Sequence, residues 1–302
     1  MKEYFFVDKN FISSRLDRWI RRNICEIPQS LIEKNIRKGK IKVNNKKEKS
    51  SYKLQKKDKI ILYNISFSSK NKKKFKVYNP TKKELSTSSN IIIENNENFV
   101  VINKPPGIAV QSGTKSRRNI LDTLRRTKEF NGIDPYLVHR IDKDTTGILI
   151  VAKNRKYAQL FTSLFRIRKI HKSYLAIVLG NLDEKKGTFI DTLFHYEGNK
   201  KIKTKAITHF KVIDSNKNYS LLKLSPETGR KHQLRKQLLI KGHPIFGDSK
   251  YRFFKEKINK KLNLMLHANE IFFSINDVRY NFSAELPIYF KNFLKEKYLK
   301  IY

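Results

Sequence analysis

Apolar positions in the first 64 residues recur with two different periods. Leu16, Trp19 and Ile20 follow Ser14 at the three-to-four-residue spacing of a buried helix face, with Arg15, Arg18, Arg21 and Arg22 around them. Ser30, with Glu33 three residues on, has the form of a capping box. It opens a second helix with Leu31, Ile32 and Ile36 inward, which Gly39 is placed to end. Residues 41–43 and 59–63 then read as short strands, separated by an Asn44–Asn45 turn and a polar turn at 55–58. The pattern predicts a helix pair on a small sheet, with Arg15, Arg18, Arg37, Lys38 and Lys40 turned outward.

Between residues 65 and 90 the apolar pattern gives way to Ser, Thr and Lys, as expected of a charged linker. From 91 onward, short apolar runs predict strands at 91–94, 99–103, 147–152, 174–179, 207–213, 219–224 and 278–282. Pro105-Pro-Gly107 forces a turn. A stripe of Ala158, Phe161, Leu164 and Phe165 predicts a helix over 155–169, and another is expected near 231–240. Strands in runs with flanking helices indicate an α+β domain over 91–302, built on a mixed, mainly antiparallel sheet.

Charge narrows the class of partner. The 302 residues include 66 Lys and Arg against 27 Asp and Glu, a formal net charge of +39. With 39% hydrophobic residues the chain is too apolar for a disordered polycation, so it reads as a folded protein facing a polyanion. The single cysteine, Cys25, excludes an internal disulfide and is expected to be a core thiol. No secretory signal and no apolar run long enough to span a membrane is visible, which suits a cytoplasmic protein.

Several chemistries lack their residues. There is no G-x-x-x-x-G-K-[ST] loop, no G-x-G-x-x-G, no H-E-x-x-H, no G-x-S-x-G elbow and no His/Cys zinc pattern. What remains is a polar cluster, His139-Arg-Ile-Asp-Lys-Asp-Thr-Thr-Gly147, directly ahead of the apolar strand 148–152. A loop meeting a rigid sheet is a good place for reacting groups. The same residues also suit a surface turn in which Asp142 and Asp144 cap backbone amides. A second cluster, Glu227-Thr-Gly-Arg-Lys-His-Gln-Leu-Arg235, puts Arg230 and Arg235 where either faces a carboxylate or phosphate, or simply forms a basic helix face.

The front end, through Ser14-Arg-Leu-Asp-Arg-Trp19 and Ile36-Arg-Lys-Gly-Lys-Ile-Lys-Val-Asn-Asn45, resembles the S4 RNA-binding domain, in which a helix pair carries basic residues to an RNA backbone. The larger part resembles the pseudouridine synthases of the RluA type. The segments that carry this are Asn103-Lys-Pro-Pro-Gly107, the His139–Gly147 cluster, Lys172-Ser-Tyr174, and Thr228-Gly-Arg-Lys-His-Gln-Leu-Arg235 running on to Gly242-His-Pro-Ile-Phe-Gly-Asp248. Leu266-His-Ala268 adds a weaker match. Their order and spacing together are highly specific.

The resemblance implies a mixed-sheet domain that isomerises uridine in structured RNA, without metal or cofactor. It puts the essential aspartate at Asp142, the active-site tyrosine at Tyr174, the closing arginine at Arg235 and the residue aiding nucleotide extrusion at Arg140. Arg230 is the alternative to Arg235 as the partner of Asp142, and otherwise an RNA contact. His139 and His232 are expected to be scaffold. The Val110-Gln-Ser-Gly113 stretch and the S4-like front end resemble members acting on 23S ribosomal RNA of the large subunit, the expected partner of a monomeric enzyme. The main rival is a sister type of the same family with the same domain order; members acting on other RNA, including tRNA, and a non-catalytic RNA-binding or ribosome-assembly protein are the further rival readings. Ile141, Thr146, Gln111 and Lys236-Gln237 depart from the family pattern, and Gln111 and Lys236 bear on substrate preference.

Overall fold

The structure is a computed structural model that describes residues 2–8, 11–24, 28–65, 90–111, 118–197, 200–253 and 262–301. Cys25, Gly113, and the linker positions 66–89 fall outside these residues. The chain divides into two compact units, Met1–Lys76 and Val77–Tyr302.

In the first unit, helices α1 (Leu16–Asn23) and α2 (Gln29–Arg37) accompany strands β1 (Lys2–Phe6), β2 (Ile41–Val43) and β3 (Lys59–Tyr63). The strands form an antiparallel sheet in the order β1-β3-β2. Leu16, Trp19, Ile20, Ile32, Ile36, Ile60 and Leu62 form its core, as their helical and alternating spacings require. Asn44 and Asn45 both take positive φ in the tight turn after β2, and Gly39 (φ +68°) stops α2.

Two local expectations fail. Ser30 does not cap α2: the N-cap is Pro28, whose φ of −55° sets an earlier entry into the helix. Glu33 instead accepts a hydrogen bond from the Gln29 side chain at 3.0 Å. Leu31 is exposed, because it falls off the apolar face that buries Ile32 and Ile36. Strand β1 is an addition to the expected elements; its short Lys-Glu-Tyr-Phe-Phe run lacks clean alternation.

The second unit is built on one sheet in the order β4-β5-β7-β12-β8-β11-β10-β9, with β6 added to β7 and β13 to β12. The strands are β4 (Ile92–Asn95), β5 (Phe99–Lys104), β6 (Tyr136–Leu137), β7 (Thr146–Ala152), β8 (His171–Leu179), β9 (Lys186–Glu197), β10 (Lys200–Ser215), β11 (Tyr219–Pro226), β12 (Leu266–Ile275) and β13 (Val278–Ser283). Helices α3 (Ile120–Leu124), α4 (Arg155–Arg166), α5 (Gln233–Ile240) and α6 (Ile288–Glu296) accompany it. The β7–β12 pairing is parallel and the other pairings of this sheet are antiparallel, so the expected mixed, mainly antiparallel α+β fold is present. Strand β7 is buried along its whole length, which explains why it reads as an unbroken apolar run. The register fixes the site: β7 and β8 flank β12, so the residues preceding β7 and those at the start of β8 converge.

Candidate active site

Asp142 lies on the segment that enters β7, and the half-buried His139 and the buried Lys104 hold that segment. His139 Nε2 accepts the Ile150 backbone N–H at 2.8 Å, and its ring packs on Phe165 with centroids 4.7 Å apart. Burial, reinforced by Lys172, pulls the His139 pKa down to about 3, so the ring stays a neutral acceptor. Lys104, fully buried in the Pro-Pro-Gly turn, donates to the carbonyls of Pro105 (2.8 Å), Ile108 (3.1 Å) and Lys143 (2.9 Å). Burial pulls its pKa down to about 7 against the opposing pull of Asp144 and Asp142. One turn is thereby tied to the residue immediately after Asp142.

Strand β7 approaches β12 through Gly147, whose φ is +102°. A Cβ there would lie 2.2 Å from the Ala268 carbonyl oxygen, so glycine is required for the parallel pairing. Next to it, Thr146 Oγ1 and His267 Nδ1 are 2.8 Å apart, and His267 Nε2 is 3.1 Å from the Ala284 carbonyl. Burial holds His267 at about 4, with the Ala284 bond working in the opposite direction.

From the other side, α5 brings Arg235 to within 3.4 Å of Asp142 Oδ2, measured from Nη1. Arg230 is exposed and donates from Nε to the Lys205 carbonyl at 3.2 Å, so the geometry pairs Arg235 with Asp142. The closest partner of Arg235, however, is Asp248. Nε and Nη2 meet its two oxygens at 2.6 and 2.7 Å, in the bidentate geometry that fixes a guanidinium plane. Burial alone would lower the pKa of Arg235, but Asp248 and Asp142 push it above its ordinary value. Asp248 also accepts the backbone N–H groups of Lys250 and Tyr251, both at 2.8 Å. The guanidinium lies 5.0 Å from the Tyr251 ring centre.

His232 sits at the start of α5 with φ +55°. Its Nδ1 is 2.8 Å from the Tyr251 hydroxyl, while Nε2 stands 3.7 Å from Asp142 Oδ1. Burial lowers its pKa, so it faces Asp142 mainly as a neutral ring. Sequence patterns assign no role to Asp248, Tyr251 or Lys104. Asp248 stands in a matched segment, but a lone acid beside a glycine carries no signal of what it will touch.

Asp142, Tyr174, Arg140, Arg230 and Arg235 all line one cavity of about 560 Å³, roomy enough for a nucleotide. Burial and then the Asp142 charge raise the Tyr174 phenol above its ordinary pKa, so it is protonated at neutral pH. Arg140 is exposed at the cavity's edge. Gln237 is buried in a network with Thr208 (2.7 Å) and Asp191 (2.8 Å), and Lys236 donates to the Phe194 carbonyl at 3.0 Å. Both thus anchor α5 to the β9–β10 ribbon. Among the described residues no group of His, Cys, Asp and Glu is arranged to hold a metal ion.

Comparison with known proteins decides the family. The profile described as RNA pseudouridylate synthase matches residues 98–239. A protein of Rickettsia bellii named ribosomal large subunit pseudouridine synthase C is 34% identical over 296 residues, covering 92% of this chain and 96% of that protein. The chain belongs to the RNA pseudouridylate synthase family. A protein of the same name from Buchnera aphidicola subsp. Schizaphis graminum is 31% identical, with 96% and 95% of the two chains covered. Among solved structures, human RNA pseudouridylate synthase domain containing 4 superposes with a TM-score of 0.63 at 26% identity, over 72% of this chain and 96% of the human one. As a family member, the protein is an isomerase acting on RNA.

Proposed function

We propose that this pseudouridine synthase converts specific uridines of 23S ribosomal RNA, with Asp142 as the essential group. The observation carrying the reaction is the Asp142–Arg235–Asp248 array opening into a nucleotide-sized cavity beside Tyr174. The large-subunit substrate is supported by relatives that carry that name over nearly their full length.

The reaction breaks the uridine C1′–N1 bond, forms C1′–C5, and releases the C5 proton. The target base must first leave its stack, since a stacked uridine hides its glycosidic bond. Arg140, exposed and lining the cavity, is the residue assigned to enter the space that the base vacates. An ionised Asp142 then acts at the sugar, by attack on C1′ or by removing a sugar proton to give a glycal. Arg235, itself clamped by Asp248, holds that carboxylate without closing on it, since 3.4 Å leaves room for the oxygen to move. Tyr174 offers the detached base a ring face and a neutral hydroxyl.

The first unit supplies grip in the manner of an S4 domain. Arg18, Arg37, Lys38 and Lys40 are the cations it offers to RNA, whereas Arg15 is engaged with Asp17 through two bonds at 3.1 and 2.5 Å. Arg15 therefore acts on the helix pair rather than on RNA. The sheet of this unit adds Lys59 over Tyr4 (4.1 Å) and Lys42 over Tyr63 (5.1 Å), a basic and aromatic surface suited to RNA.

The test is tritium release from C5-labelled uridine in large-subunit rRNA, together with pseudouridine mapping in cells lacking the protein. Wild type releases tritium, and Asp142→Asn binds the same RNA but releases none. Equal release by the two would end the proposal. Loss of pseudouridine from tRNA alone would move the substrate elsewhere.

A further inference from the structure

The catalytic cavity meets a second one, of about 580 Å³, and the two share Lys172, Pro226 and Glu227. Lys172 stands on β8 two residues before Tyr174, the strand period that returns a side chain to the same side. The acids around it are taken. Asp142 faces Arg235 at 3.4 Å, Glu227 pairs with His209 at 2.7 Å and Arg168 at 3.8 Å, and Glu270 pairs with Lys223 at 2.8 Å. Among the described residues no carboxylate lies within ion-pair distance of Lys172, and the neighbouring His139 ring is neutral.

Lys172 is thus a largely sequestered cation with no anion of its own, and burial depresses its pKa accordingly. Such a group is costly until an anionic ligand arrives. The second cavity also carries an open aromatic pair. Phe272 is 40% exposed, and His171 lies 6.1 Å from it with its ring tilted by only 31°. Two cavities joined at one cation have the layout of two consecutive nucleotides joined by one phosphate.

We infer that Lys172 binds the phosphodiester linking the target uridine to a neighbouring nucleotide, whose base enters the second cavity against Phe272 and His171. The inference rests on the uridine-isomerising reading, but its main readout is binding and does not require turnover. Full-length wild type, Lys172→Met and Lys172→Arg are compared for affinity to the mapped target RNA across a salt series. Lys172→Met binds about tenfold or more weakly, and its slope of log affinity against log salt is shallower by roughly 0.7–0.9, the signature of one lost phosphate contact. Lys172→Arg keeps the wild-type slope. Thermal unfolding of Lys172→Met occurs no lower than wild type, because an unmatched charge has been removed, whereas a merely structural lysine would leave a less stable protein.

The base subsite is read with RNA made abasic on one or the other side of the target. One of these RNAs binds wild type about tenfold more weakly, the size of a lost stacking contact, and adds no further loss in Phe272→Ala. An unchanged salt slope in Lys172→Met overturns the phosphate contact, and abasic RNAs that bind wild type normally overturn the subsite. Wild type that binds RNA without releasing tritium would instead remove the catalytic reading and leave the slope to be judged by itself.

Discussion

Arg235 stands between two carboxylates, and only one of them is its close partner. The 2.6 and 2.7 Å contacts to Asp248 fix the guanidinium, and the 3.4 Å contact to Asp142 is what that fixed position makes available. Removing the clamp should therefore injure both stability and chemistry. Asp248→Asn is expected to lose about 3 kcal/mol in urea unfolding, the scale of breaking a buried pair, and to slow tritium release at least tenfold. Normal stability with normal release would refute the clamp. Two histidines make a second prediction for single residues. His139 and His267 are held neutral, at about 3 and about 4, because burial disfavours the charged ring, with Lys172 adding to the effect at His139 and the Ala284 bond opposing it at His267. Their folded pKa values lie below the unfolded value of about 6.5, so the unfolded chain binds more protons as pH falls below it. Stability is then full above that value and declines toward pH 4, by about 1.4 kcal/mol per pH unit for each ring. Ring NMR signals from both should stay unshifted down to about pH 5; a midpoint near 6.5 would contradict this.

Elements meet at glycines whose needs differ. Gly147 combines φ +102° with a 2.2 Å approach of any Cβ to the Ala268 carbonyl, where β7 and β12 run parallel. Gly147→Ala must part those strands, and β7 is the strand into which the Asp142 segment runs. The expected cost is more than about 3 kcal/mol, or failure to accumulate folded protein. Gly229, in the turn after β11, has no atom within 4 Å of where a Cβ would stand and no positive φ. Gly229→Ala should leave the unfolding midpoint within experimental error. Similar midpoints for the two variants would undo the requirement for glycine at the parallel pairing.

At the scale of the whole molecule, charge is unevenly spread. Residues 1–80 hold 23 basic and 7 acidic residues, so +16 of the +39 falls in about a quarter of the chain. Arg18, Arg37, Lys38 and Lys40 are remote in sequence from every residue lining the catalytic cavity. Replacing these four by Ala should weaken rRNA binding and flatten its salt dependence by up to about 3. Single-turnover release at saturating enzyme should stay near wild type. An unaltered salt slope would remove the first unit from RNA binding.

Local rules were enough for the α+β class and the long apolar strands, while the segments that carry Asp142, Tyr174 and Arg235 stood out as a site only through their resemblance to a known family. Those rules are alternation, helical stripes, and Gly and Pro at turns. They leave β1 unread, because its pattern becomes regular only once β3 pairs with it, whereas the alternation of Ile271, Phe273 and Ile275 in β12 and the Phe290, Phe293, Leu294 stripe after Pro287 are legible signals that the expected elements leave out. Arg230 and Arg235 are equivalent as letters on a basic helix, and only the packing of α5 against the site makes one a buried partner and the other a surface cation. The same holds for Asp248, Lys104 and Lys172. Each is an ordinary charged residue in sequence, and its role comes from burial and from which opposite charges the fold leaves within reach.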